Sequence, residues 1–248
     1  MTTVAFIHIK GGVGKTTSAV NTAHFAAADG RKTLLVDLDA QGSASYILRV
    51  GESRGAKAKE VIRAEKSLRD HIIATDYPGL DVLPASMSLR KLPQMLSEEG
   101  ERQMERALQR AGKRYDLVVV DAPAGVGIET DAVLMATDIA LVPIVPSPLA
   151  TQSFEVLSGR LRKLKRAPVV FGFFSIVDGR RRLHKEGMEQ LRAKWKNVWD
   201  LALPAAAAAE RVTSERAPIG TDRNSRAREA YHQLWVRVRE AIAHREAA

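Results

Sequence analysis

The stretch "VAFIHIKGGVGKTTSAVNTAHFAAA", residues 4 to 28, constrains this chain more than any other part of it. An apolar run rich in Val and Ile, a glycine-rich turn and a helix-compatible segment follow in the order of the strand–loop–helix unit that holds a phosphate. Gly11, Gly12 and Gly14 let the backbone approach an anion and turn its N–H groups toward it, while the start of the helix adds positive potential. Lys15 is placed to reach β- and γ-phosphates, and Thr16 to offer a hydroxyl to Mg²⁺. Gly11, Gly12, Val13, Gly14, Lys15, Thr16 and Thr17 form the expected nucleotide-binding segment. The ordinary loop, G-x-x-x-x-G-K-[ST], does not fit, because Ile9 stands where its first glycine belongs and Lys10 adds a cation that loop does not need. A glycine-rich turn that binds nothing is the plain alternative, and the acidic segments further on weigh against it.

Apolar runs recur at 4–9, 33–39, 80–85, 115–123, 139–146, 169–177 and 198–204. They are continuous rather than alternating, as strands buried on both faces are. Helix-compatible stretches lie between them at 15–29, 98–112, 151–166 and 185–194, and a last one covers 225–245. Strand alternating with helix predicts an α/β fold, a doubly wound, mostly parallel sheet with helices on both faces. No linker or repeat divides the chain, so residues 1–248 read as a single domain. The charged stretch 50–70 predicts a surface loop and a helix, with no task assigned. His24, inside the first helix, reads as a packed histidine without chemistry.

Two later segments end in carboxylates. "LLVDLDAQG" carries Asp37 and Asp39 on the same side of a strand, and "DLVVVDAPAG" closes an apolar run with Asp121, the pattern of an aspartate that holds Mg²⁺ through water. Ligands of open α/β sheets sit at the carboxyl ends of strands, where all three motifs fall.

"KGGVGKTT", "VDLDAQG" and "VVVDAPAG" together resemble the deviant Walker A ATPases, the ParA/MinD group. The likeness extends through "IVDGRRRL" and "LPAAAAAERVTSERAPIG" over nearly the whole chain. It implies one P-loop ATPase domain that uses ATP and Mg²⁺ and forms an ATP-sandwich homodimer. In that dimer Lys10 reaches the phosphates bound by the other subunit, and catalysis rests on Lys10, Lys15 and Asp39. Asp39 would orient the attacking water, with Asp37 as the neighbouring alternative, and Thr16, Asp39 and Asp121 would serve the metal. The chain departs from the common pattern at Asp39-Ala40-Gln41 and Asp121-Ala122-Pro123-Ala124, and neither change removes a charged group.

Composition narrows the group. The chain has no cysteine, which excludes disulfides, zinc clusters and iron–sulfur ligation and sets aside the cysteine-dependent relatives. A loop that begins at residue 10 leaves no room for an N-terminal helix-turn-helix domain, and no secretory signal precedes it. The last tyrosine, Tyr231, lies in a helix, unlike the tyrosine-rich tails of related kinases. A net charge of +9 is uneven: residues 1–159 hold 18 Lys+Arg against 19 Asp+Glu, and residues 160–248 hold 20 against 10. A basic region predicts an anionic polymer or surface as partner.

Two positioning ATPases of this group remain. One binds DNA without sequence preference and moves a plasmid, chromosome or protein assembly, with hydrolysis stimulated by an adaptor protein. The other, MinD-like, binds membrane by a C-terminal amphipathic helix. Ala227, Ala230, Tyr231, Leu234, Val238 and Ile242 form a helical stripe with Trp235 beside it, which reads as a core face and argues against the membrane. DNA contacts are expected first at Arg223, Arg226 and Arg228, then at Arg160–Arg166 or Arg180–Arg182. "DGRRR" has a second reading, at the nucleotide or dimer interface. A cytoplasmic, nucleoid-associated protein follows, and a ligase or kinase of small molecules on the same scaffold is the third reading.

Overall fold

A computed structural model of the chain describes residues 1–51, 55–147, 150–205, 207–219 and 226–247. The continuous apolar runs become strands whose side chains divide between two cores, because successive residues of a strand point to opposite faces. β1 (Thr2–Phe6) sends Val4 and Phe6 to one side and Ala5 to the other, with Ile7 following Ala5 just beyond it. α1 (Lys15–Ala28) returns along the sheet, and β2 (Thr33–Asp37) leads through a turn into α2 (Ser43–Ile47). α3 (Ala58–Ile62), a two-residue β3 (Ile73–Ala74) and β4 (Leu80–Leu83) come next, then α4 (Leu92–Glu99) and α5 (Arg102–Gly112). β5 (Leu117–Asp121), α6 (Ile128–Met135), β6 (Ile139–Ile144), α7 (Ala150–Leu161) and β7 (Val169–Val177) continue the alternation. α8 (Arg182–Lys194), β8 (Val198–Pro204), α9 (Ala207–Glu215) and α10 (Arg226–Glu246) complete it.

The strands form one sheet in the order β3-β4-β2-β5-β1-β6-β7-β8. Every pairing is parallel except the short antiparallel contact of β3 with β4 at the edge. The order reverses beside β1, and the first loop opens at that switch point, where doubly wound sheets bind ligands. Side chains from α3 to α8 fill the core on one face, and those of α1, α2, α9 and α10 fill the other.

Several boundaries differ from the sequence reading. The helix expected at 98–112 is two helices: α4 stops at Gly100, whose φ of +94° lies in the region that favours glycine, and α5 starts at Arg102. The first run, expected as a strand to Ile9, leaves the sheet after Phe6, since the chain must turn to present the loop. In the charged stretch 50–70, Ala56, Ala58, Val61, Ile62 and Leu68 are buried in the core, so it is a packed helix and 3₁₀ turn rather than surface alone; residues 52–54 of it lie outside the described residues. Spaced apolar residues between charges hid that face.

α10 packs on α1 and β8. Tyr231, Leu234, Trp235, Val238 and Ile242 are buried, and the Trp235 Nε1–H donates to Asp29 Oδ2 at 2.6 Å. Ala227 and Ala230 complete the stripe as partly buried neighbours. The apolar face of the last helix is therefore spent on the core. No helix among the described residues is long and apolar enough to cross a membrane.

Candidate nucleotide site

The loop from Ile7 to Gly14 is held at three points by groups outside it, two of them backbone and one a side chain. The Ile7 N–H donates to Leu141 O at 3.0 Å, the Gly125 N–H to His8 O at 3.3 Å, and the Ser175 hydroxyl to Val13 O at 2.7 Å. These fix it to β6, to the segment after β5 and to β7. Gly12 and Gly14 have φ of +71° and +90°, which L side chains rarely adopt, and a Cβ at Gly11 or Gly12 would stand in open space rather than meet protein. The space over the glycines is thus clear for a ligand. Lys10, Gly11 and Gly12 are exposed, whereas Val13 and Lys15 are buried.

The two lysines therefore occupy opposite environments. Lys10 projects from the exposed part of the loop, while Lys15 is only 7% exposed. Burial pulls the Lys15 pKa down, and the Asp121 and Asp39 carboxylates pull it back up. His8, which the sequence reading did not single out, sits under Lys10. Its Nδ1 accepts the Lys10 N–H at 2.9 Å, and burial lowers its pKa to about 4, with the nearby lysine charges adding to that effect. A neutral imidazole accepting at Nδ1 carries its proton on Nε2.

Asp37 and Asp121 end adjacent parallel strands in register. Asp37 accepts the Ser45 N–H at 2.9 Å, the Ser45 hydroxyl at 2.7 Å and the Asp39 N–H at 3.2 Å. Burial nevertheless raises its pKa to about 6, with those hydrogen bonds offsetting part of the shift. Asp121 is fully buried, and neither of its carboxylate oxygens has a hydrogen-bond partner. Burial raises its pKa well above the usual carboxylate range, the Asp37 charge adds to this, and the Thr16 hydroxyl and Lys15 moderate it. Asp39 is half-buried; its Oδ1 accepts the Gln41 N–H at 3.0 Å, and its carboxylate acts on Lys15. The structure thus brings Lys15, Thr16, Asp39 and Asp121 together, and commits Asp37 to the turn into α2.

A cleft of about 580 Å³ runs from this loop toward β7, β8 and α9. Gly12, Gly14, Lys15, Thr16 and Thr17 line one end, and Tyr46, Ser175, Ile176, Pro204 and Tyr231 are among the residues that line the remainder. The second set was not legible as site residues, because it is drawn from four separate elements, α2, β7, β8 and α10. Ile176 has a φ of +54°, strained for a β-branched residue, where the β7–β8 register slips before Val177. Tyr231, expected only as part of a core stripe, also faces this cleft.

A resident Mg²⁺ fits these residues. An orphaned buried carboxylate beside a threonine hydroxyl is a set of oxygen donors short of partners, as a hard cation held largely through water and phosphate requires. No group of three or more His, Cys, Asp or Glu side chains among the described residues converges to hold a metal by itself.

The basic clusters fare differently. Arg160 forms a bidentate pair with Asp131, bonding also to Gly127 O at 3.1 Å, and so fastens α7 to α6. Arg166 pairs with Glu105 and Asp138, and Arg182 with Glu186. Arg180 chelates Asp178, holding that carboxyl down at about 2. Arg162, Lys163 and Lys165 are exposed. Arg226 is exposed at the start of α10, Arg228 lies 5.6 Å over the Phe25 ring, and Arg223 falls outside the described residues. His24 packs edge-on against Phe25 and Tyr77, as a packed histidine does.

Residues 1–169 match a protein family described as an AAA domain. The chromosome-partitioning ATPase Soj of Treponema pallidum is 29% identical over 97% of this chain and 97% of its own length. Among solved structures, apo McdA of Cyanothece superposes with a TM-score of 0.84 at 14% identity, covering 95% of this chain and 99% of that one. A cobyrinic acid a,c-diamide synthase from Mycobacterium smegmatis, solved with an ATP analog and magnesium, gives 0.80 at 22% identity, over 95% and 92% of the two chains. At those identities the two structures speak for the fold.

Proposed function

The chain belongs to the AAA domain family of ParA-, Soj- and MinD-like ATPases, and from that premise we propose a DNA-bound positioning ATPase switched by ATP. The observation that carries the reading is the pair of lysines: Lys15 buried against Asp121 and Asp39, and Lys10 displayed on the open side of the same loop. A cation facing outward beside a phosphate site has no phosphate of its own to neutralise. Across a two-fold axis it meets the phosphates of a second subunit, so ATP becomes the ligand that joins two copies.

In this reading the loop N–H groups from Gly11 to Thr16 and the Lys15 ammonium cradle the triphosphate. Thr16 and, through water, Asp121 would hold Mg²⁺, which would supply charge neutralisation to the phosphates. Asp39, free of the hydrogen bonds that occupy Asp37, orients the water that attacks the γ-phosphate. Loss of the γ-phosphate removes the Lys10 contact and releases the dimer. An adaptor protein sets the rate, and Arg226 with Arg223 and Arg228 serves DNA phosphates. The membrane alternative is disfavoured by the buried apolar face of α10.

The test is fluorescence anisotropy with random-sequence duplex DNA, in ATP-Mg²⁺ and in ADP, with anionic liposomes as competitor and Lys10→Ala beside the wild type. Binding that requires ATP, weakens steeply with salt and is absent in Lys10→Ala is the expected result. Binding to liposomes but not to DNA overturns the DNA reading, and ATP-dependent DNA binding retained by Lys10→Ala overturns the role of that lysine.

A further inference from the structure

Away from the nucleotide cleft, a second groove of about 950 Å³ opens between the segment after α3 and the outer side of α5. Arg63, Arg69, Arg106, Arg110 and Lys113 line it, with Glu99 as the one carboxylate. The heptad-like spacing of Arg106, Arg110 and Lys113 is a consequence of α5 itself. Met104, Ala107, Leu108 and Ala111 turn into the core, so the residues between them face out along one side of the helix. Arg63 and Arg69 come from the charged stretch after α3, brought alongside by the burial of Val61, Ile62 and Leu68.

Most cations of this groove are without an ion-pair partner among the described residues. Glu99 accepts from Arg63 Nε at 3.2 Å, whereas Arg69, Arg106, Arg110 and Lys113 have no carboxylate within ion-pair distance among the described residues. Elsewhere many surface arginines are matched, as Arg160 is by Asp131, Arg180 by Asp178, Arg192 by Asp200, Arg239 by Asp29 and Arg245 by Asp138. Four like charges converging on one concavity repel one another and are stabilised by an anionic ligand.

We propose that this groove docks an acidic, extended segment of a partner protein, which lays its carboxylates along Arg63, Arg69, Arg106, Arg110 and Lys113. The groove already holds one carboxylate on an arginine, that of Glu99, so the chemistry is demonstrated within the chain. It is a hollow between two elements, lined from both sides by cations along which an extended acidic chain can lie. It also lies toward the opposite end of the sheet from the phosphates: Lys113 stands just before the first residue of β5, and Asp121 is the last. Docking there leaves the nucleotide cleft open, so a tethered partner would stay attached through the ATP cycle. The proposal does not depend on the DNA reading.

The probe is a fluorescein-labelled deca-glutamate peptide, titrated with the full chain in ATP-Mg²⁺ and in ADP. Arg106→Glu/Arg110→Glu is compared with Arg226→Glu, and circular dichroism and ATP hydrolysis confirm that each variant is folded. Binding in both nucleotide states, weakened at least tenfold by the double substitution and unchanged in Arg226→Glu, is expected. Equal loss in the two variants, or no peptide binding by the wild type, overturns the proposal. So does loss of duplex-DNA binding in Arg106→Glu/Arg110→Glu without peptide binding, which would make the groove a nucleic-acid surface. ATP-dependent DNA binding lost only in Arg226→Glu would leave both readings standing, so the two fail separately.

Discussion

The ends of β2 and β5 lie side by side, and each places a buried aspartate at the same level of the sheet. Asp37 is surrounded by donors from the turn into α2, whereas neither oxygen of Asp121 is held by a hydrogen bond and only the Thr16 hydroxyl and Lys15 stand by it. A fold that needs a carboxylate for its own architecture satisfies it, because a buried unpaired charge is costly. A fold that keeps one unsatisfied holds it ready for something the chain alone does not provide. The first aspartate shapes a turn, and the second, on the proposed reading, serves a ligand. Asp121→Asn separates the two roles most sharply. Phosphate release should fall about 10–100-fold, the usual effect of removing an outer-shell carboxylate. The ligand-free variant should melt higher than wild type at pH 7, by about 2–4 °C, the response to about 1 kcal/mol in a chain of this length. A variant that melts lower would show that Asp121 supports the fold.

Ser45→Ala tests the other strand end. The Ser45 hydroxyl donates to Asp37 and accepts the Ala85 N–H at 3.1 Å, so it joins β2, α2 and the end of β4. Removing it orphans a buried amide and takes a donor from a buried carboxylate, at a cost of about 1–3 kcal/mol. Chemical denaturation should show that loss with phosphate release changed less than tenfold. A large drop in hydrolysis at unchanged stability would move Asp37 into the catalytic machinery.

This contrast was only half legible in the sequence. "VDLDAQG" announces two aspartates near a phosphate loop, but the choice between Asp37 and Asp39 turns on Ser45, eight residues further on and brought back by α2. Strand runs, the loop and the last helix could be read because periodicity and glycine placement are local properties. Surface charge could not. The excess of basic residues in 160–248 looked like the anionic-partner region, yet many of those arginines meet carboxylates from elsewhere in the chain, as Arg160 meets Asp131 and Arg245 meets Asp138. The unpaired cations of α5 lie in the part whose charges nearly cancel when counted along the chain. Pairing is a tertiary property, so a count along the sequence does not say which cations are left without a partner.

The smallest effect expected is the most specific, and it comes from pH. Asp37, with a folded pKa near 6 against an ordinary 3.8, binds more protons in the folded state than in the unfolded between those values. Its contribution is fully present below about 3.8 and is lost as pH rises through 6, and Asp121 acts in the same direction. His8 works the other way. It stays neutral in the fold down to about 4, while the unfolded chain takes up a proton below 6.5, so stability is lost as pH falls through that window. The two kinds of buried group therefore oppose each other between about pH 4 and 6, and the ligand-free wild type should show a shallow profile there. Asp121→Asn removes one carboxylate from the balance and leaves His8 in place. Its melting temperature should fall more steeply than that of wild type as pH drops from 6.5 to 4, so the gain seen at neutral pH shrinks and the two curves converge. Curves that stay parallel would mean that the Asp121 carboxylate is already ionised at the foot of the window, and that Lys15 and Thr16 outweigh its burial.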